Sequence, residues 1–290
     1  MTDAAGSSST GLFHDDSTIR AVGQEALSLL GGGRAVLMQL AHPLVAAGVA
    51  DHSAFQGNPL LRLEHTLDFM HVLMFGNHEQ VQAALREFHA RHRRIHGRLP
   101  KSAGPYAAGI TYRAEDPQLK LWVHATLTDS GWMTYERFVA PIPPDEREEY
   151  YAETRVVARL LGIPDPILPQ KWGDFQEYMA AMLASDTLAV TKTARTLAED
   201  VLNPSQVGPV AAGSARLLRF VTAGLLPEPL REAYGFEWSA GDQRRLDHLS
   251  MATRALRPRT PRWVWQGPRC GPGIARALLS DVTKGRQATS

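Results

Sequence analysis

The stretch 34–50, RAVLMQLAHPLVAAGVA, is apolar on nearly every side of a helical projection, and it constrains the fold more than any other segment. A helix without a polar face has to be enclosed, so the rest of the chain must supply neighbours. Pro43 inside the run is expected to kink the helix and free a backbone carbonyl near Gln39. The neighbours read as helices as well. An amphipathic helix over 17–30 is expected to stop at Gly31-Gly32-Gly33. That triplet has no preceding strand and no Lys-Ser/Thr, so it reads as a helix cap and turn and not as a phosphate loop. Asn58 with Pro59 opens a helix that runs to Phe75. Asn77 with Gln80 forms a capping box for a helix over 78–96, closed by Gly97. The same signals place helices at about 117–139, 144–161, 171–184, 186–201, 209–226 and 239–256. Only AGITYRAE, 108–115, looks strand-like, and one short strand makes no sheet. The expectation is an all-α fold, a single multi-helix domain over 16–256, between a disordered leader (1–15) and a basic C-terminal wrap (257–290).

Charge narrows the function classes. The net charge of +1 over 290 residues argues against a general nucleic-acid binder. Residues 241–290 nevertheless hold ten Lys/Arg against three Asp/Glu, a local +7, which leaves −6 for residues 1–240. No apolar run reaches the length of a membrane span, and the small polar N-terminus is no secretory signal. Cys270 is the single cysteine, which excludes an intrachain disulfide and fits a reducing compartment. A cytoplasmic location is expected; the oligomeric state is not legible. WQGPRCGPGIAR around Cys270 has the flavour of a cytochrome P450 thiolate loop, but its spacing is one residue short and the chain is too small for that fold.

Eight of the eleven histidines fall between residues 42 and 96. On a helix over 78–96, Val81, Leu85, Phe88 and Ile95 lie within about 60° of His92, while Arg86, Glu87, Arg93 and Arg94 lie on the other side. His92 is thus central in the apolar stripe, and His89 and His96 flank it. A buried histidine needs a partner for each ring nitrogen. It either bonds a core carbonyl or ligates a metal or haem iron, and His92 with His96 could also share a zinc or copper ion. In RLEHTLDFMHVLMFG, Arg62 and Thr66 share a face with Phe69 and Leu73 in a helix that is apolar elsewhere. A buried Arg62 calls for an anion such as a cofactor carboxylate, or for a backbone carbonyl. His65 flanks the same face.

GRAVLMQLAHPLVAAGVADHSAF, RLEHTLDFMHVLMFG, HRRIHG and DPQLKLWVHATLTDS together resemble, in order and spacing over roughly residues 20–200, the rubber oxygenase (latex clearing protein) catalytic-domain family. That family includes the endoplasmic-reticulum oxygenase of mycophenolic acid biosynthesis. The resemblance implies an all-helical, globin-like core with b-type haem, which oxidises a hydrophobic substrate with dioxygen. It aligns His92 with the proximal haem ligand and Arg62 and Thr66 with the family's Arg-x-x-x-Thr pair. His65 falls where the rubber oxygenase can place a distal lysine. The family's glutamate base has no counterpart; His42, Asp51 and His52 occupy that stretch. His65 and His52 are therefore the catalytic candidates, and Arg62, Thr66, His92 and His96 the cofactor candidates. The chain is shorter than the secreted rubber oxygenases, so polyisoprene is not the expected substrate. His124 is read as a satisfied core histidine. A non-catalytic haem or gas-binding protein and a non-haem metal oxygenase are the alternative readings.

Overall fold

The computed structural model describes residues 11–52, 59–202 and 209–266, and within them not the side chains of 59–64, 209–212, 214 and 262. The fold is all-α, with one two-stranded hairpin among the described residues. At its centre lies α2 (Gly32–Leu40), whose Leu37, Met38 and Leu40 are wholly buried. Against it packs the 22-residue α6 (Pro117–Phe138), and Trp122 of α6 donates its indole N–H to the Met38 carbonyl at 3.2 Å. Tyr151 from α7 (Pro144–Leu160), Phe175 from α8 (Trp172–Ala184) and Leu197 from α9 (Lys192–Leu202) complete this core.

The apolar run at 34–50 is two helices. The first ends at Leu40 and α3 (Pro43–His52) begins at the proline. The Gln39 carbonyl accepts from the His42 amide at 3.1 Å, so the break is a turn between helices and not a kink within one. The glycine triplet also differs from expectation. After α1 (Thr18–Gly23), a 3₁₀ turn spans Ala26–Gly31, and Gly32 and Gly33 already belong to α2. Their role is close approach. A Cβ on Gly31 would lie 2.4 Å from Thr134 Oγ1, and one on Gly33 would lie 2.1 Å from Thr222 Oγ1.

Helix α4 (Pro59–Phe75) has the expected bounds, and α5 (His78–His92) starts with the expected capping box: Asn77 Oδ1 accepts from the Gln80 amide and Gln80 Oε1 from the Asn77 amide, both at 2.9 Å. However, α5 stops at His92. Arg93 and Arg94 turn the chain into β1 (His96–Arg98), which pairs antiparallel with β2 (Thr111–Arg113). The strand-like segment therefore does have a partner, one whose sequence, HGR, carries no β-signal. The later expectations stand within one or two residues except at α9, which starts at Lys192 and not at 186. α10 (Pro209–Leu225), α11 (Glu228–Ala233), α12 (Ala240–Leu256) and the short α13 (Arg262–Trp265) close the described chain. At the other end, Phe13 is buried against Ile19 and Leu73, so the chain is packed well before residue 16. Residues 1–10 and Cys270 lie outside the described residues.

Candidate functional site

Helices α4 and α5 pack side by side through two aromatic rings. Phe69 stacks on Phe88 with centroids 5.1 Å apart, and Phe88 in turn lies 3.8 Å from the His92 ring. The face of α4 that carries Phe69 and Leu73 is the face on which Arg62 and Thr66 fall by register. The Arg62 side chain is outside the described residues; Thr66 and His65 are exposed.

His92 ends α5 with its ring half-buried. Its Nδ1 lies 2.9 Å from the Phe88 carbonyl, which can only accept, so Nδ1 carries the proton and donates it. That leaves the lone pair on Nε2, which makes no hydrogen bond among the described residues. Burial pushes the imidazole below its ordinary pKa against the opposing pull of the Phe88 carbonyl, so the ring is neutral near pH 7. A neutral imidazole with one nitrogen tied to a carbonyl is the state in which histidine ligates metals. One turn back, His89 Nε2 meets the Leu160 carbonyl at 3.0 Å and ties α5 to the end of α7.

The other candidates divide into two groups. His52 and His96 come together at the hairpin, ring centroids 6.4 Å apart, with His52 Nε2 donating to the His96 carbonyl at 2.8 Å. Both are exposed. Because α5 ends at His92, His96 is not one helical turn further along the same face, and the four-residue spacing that would let them share an ion is not realised on a helix. Among the described residues no group of three His, Cys, Asp or Glu side chains is arranged to hold a metal. Next to this pair, the Tyr112 hydroxyl donates to Asp51 at 2.5 Å. His42 and His124 are buried. His42 Nδ1 accepts from the Leu44 amide at 3.3 Å and its Nε2 meets the Tyr106 hydroxyl at 3.1 Å, so both nitrogens are used within the fold. His124 meets Thr128 Oγ1 at 3.4 Å.

Two buried cations escaped the reading of the sequence. Arg34 donates to the Leu225 carbonyl at 2.8 Å and to Ser130 Oγ at 2.7 Å, and pairs with Asp129 at 2.6 Å. Arg34, like Arg62, is an isolated arginine in an apolar helix, and that pattern is legible in the sequence. Lys120, buried in the first turn of α6, pairs with Glu115 at 3.1 Å. That pair bridges a helix start and has no helical spacing to betray it.

A cavity of about 170 Å³ lies on the other side of α4, between it and α1, α6 and α7. Leu67, Met70 and Met74 of α4 line it, with Leu127 of α6 and Val22 of α1, and His124 borders it.

The described chain is thus an all-helical domain with an apolar cavity on one side of α4 and, on the other, His92 with an Nε2 that makes no hydrogen bond among the described residues. The chain belongs to the ER-bound oxygenase mpaB/B′/rubber oxygenase catalytic-domain family, whose model matches residues 19–257. It is also similar to uncharacterized proteins of Mycobacterium bovis and Mycobacterium tuberculosis, each 26% identical over 236 residues, which cover 79% of this chain and 89% of theirs. No solved structure matches. Among the described residues no helix is long and apolar enough to cross a membrane.

Proposed function

We propose that the protein is a haem-b-dependent oxygenase that acts on a hydrophobic small molecule with dioxygen. The family supports oxygenase chemistry. The observation that carries the cofactor reading is His92, whose Nδ1–H is committed to the Phe88 carbonyl while Nε2 has no partner among the described residues. Haem would supply the redox-active iron on which dioxygen is activated. His92 would hold the iron, and its hydrogen bond to the Phe88 carbonyl would fix ring orientation and raise the basicity of Nε2. Arg62 and Thr66, which by register fall on the same face of α4 as Phe69, would hold the haem carboxylates by charge and hydrogen bond. His65, adjacent and exposed, would stand beside the dioxygen site. His52 and His96, which meet where α3 ends beside the hairpin, are the further candidates, and His52 Nε2 is spent on the His96 carbonyl.

The absorption spectrum of the purified protein tests this directly, since a Soret band distinguishes haem from a non-haem metal. His92→Ala should abolish haem retention while far-UV circular dichroism stays helical, because alanine is the better helix former. His96→Ala should retain haem, and His65→Ala should retain it with a shift toward five-coordinate high spin. Full retention in His92→Ala would remove proximal ligation from α5. A Soret band without dioxygen consumption on any hydrophobic substrate would leave a gas-binding protein.

A further inference from the structure

The hairpin that follows α5 has one apolar face and one basic face. Its strands β1 and β2 send alternate side chains to opposite sides. Tyr112, with Ile95 and Leu99 at the two ends of β1, packs inward against Leu44 and Ala47 of α3. His96, Arg98, Thr111 and Arg113 therefore occupy the opposite face, and all four are exposed. In the register His96 stands directly across from Arg113, and Arg98 lies diagonal to it. Arg93 and Arg94, in the turn that leads into β1, are exposed too, as is Lys101 in the loop beyond it.

Arg93, Arg94, Arg98, Lys101 and Arg113 make no ion pair among the described residues. Arg98 spends one N–H on the Gly109 carbonyl at 3.2 Å. The acids beside them are committed elsewhere. Glu87 holds Arg91 at 2.6 Å, Asp51 accepts from Tyr112, Glu115 pairs with Lys120 and Asp116 caps α6. Like charges gathered on one face of a two-stranded sheet destabilise it, so this arrangement does nothing for the fold. What it fits is an array of anions, which guanidinium groups hold through paired hydrogen bonds.

The surroundings select among anionic partners. The whole chain carries only +1, so the charge is local and lacks the general excess of a nucleic-acid binder. Tyr112, the aromatic residue of β2, is 2% exposed and turned inward, so the strands offer no outward ring for base stacking. Apolar surface adjoins the cations instead: Ile110, next to Thr111, is 41% exposed, and Ala107 and Ala108 of the loop are exposed as well. Cations around a short apolar loop suit an interface that is anionic outside and hydrocarbon beneath.

We propose that the outer face of the hairpin docks the protein on an anionic lipid bilayer, with Arg98 and Arg113 holding headgroup anions and Ile110 entering the headgroup layer. The inference goes beyond the oxygenase reading and does not rest on haem.

Sedimentation of the full-length protein with vesicles of phosphatidylcholine, alone or mixed with phosphatidylserine, is the test. Binding should require phosphatidylserine and weaken as salt is raised. Arg98→Gln with Arg113→Gln should lower the partition coefficient roughly twentyfold or more, about fivefold for each charge lost at the surface. Arg244→Gln with Arg254→Gln removes the same charge from exposed positions of α12 and should bind as the wild type does. Ile110→Ser should weaken binding, and duplex DNA should not release the protein from the vesicles. Circular dichroism confirms the fold of each variant. The proposal is overturned by absence of binding to phosphatidylserine vesicles, by normal binding of the Arg98→Gln and Arg113→Gln double variant, or by an equal loss in the α12 variant. Wild-type affinity in Ile110→Ser, or release by DNA, overturns it as well.

Discussion

His42 and His124 are both held neutral by burial, each pushed from 6.5 down to about 4. An unfolded imidazole takes up its proton near 6.5, whereas the folded ones wait until about 4. Between those values the unfolded state binds more protons, so stability is complete above 6.5 and falls as the pH drops toward 4. Each histidine contributes up to about 3 kcal/mol to that fall. Urea midpoints should therefore decline between about pH 7 and about pH 5, and His124→Leu should remove roughly half of the decline; an unchanged slope would mean that His124 is not neutral in the fold. The legibility of the site follows from the same scale. His92 was visible because an apolar stripe surrounds it at helical spacing. His96 was misplaced because the end of α5 is set by pairing with residues 111–113, which no local signal announces. The hydrogen bond of the His124 ring and the engaged nitrogens of His42 depend on Thr128 and Tyr106, and such partners are invisible until the chain is folded.

At the scale of elements, capping chemistry was the reliable guide. Asn77 with Gln80 set the start of α5, and Asp116 with Pro117 sets that of α6, where Asp116 Oδ1 accepts from the Gln118 amide at 2.8 Å. Glycine misled, because the residue that ends helices is also the one that lets helices touch. Gly31 and Gly33 serve the second purpose, against Thr134 and Thr222, and only tertiary structure distinguishes the two uses. Substitution separates them within one turn. Gly32 is helical and a Cβ there meets nothing within 4 Å, so Gly32→Ala should be neutral or stabilise by up to about 1 kcal/mol. Gly33→Ala drives a methyl into the buried Thr222 and should cost about 1–3 kcal/mol. Thermal unfolding of the two variants is the measurement, and equal melting temperatures would show that α2 does not need the close approach.

Across the whole molecule, the two ends of the family match are brought together by one ion pair. Glu25 follows α1, Arg257 follows α12, and the carboxylate accepts from both Nε and Nη2 of the guanidinium. Gln266 bridges to the Glu25 backbone beside it. The Glu25 side chain is 7% exposed and Arg257 29%, so the carboxylate has lost most of its water and relies on the arginine. Its Oε2 has no hydrogen bond among the described residues, which leaves Oε1 to carry the interaction. The carboxylate reciprocally raises the Arg257 pKa through that hydrogen bond. Removing the cation strands a buried negative charge, and that penalty exceeds the net worth of the intact pair. Arg257→Ala should therefore cost about 2–4 kcal/mol, read as a lower urea midpoint. The loss is electrostatic if Glu25→Gln in the same background recovers part of it, since an amide is cheaper to bury than a carboxylate. Recovery would establish that the basic segment after α12 contributes to stability by neutralising Glu25, and a double variant no more stable than Arg257→Ala would assign the loss to the packing of the arginine stem alone.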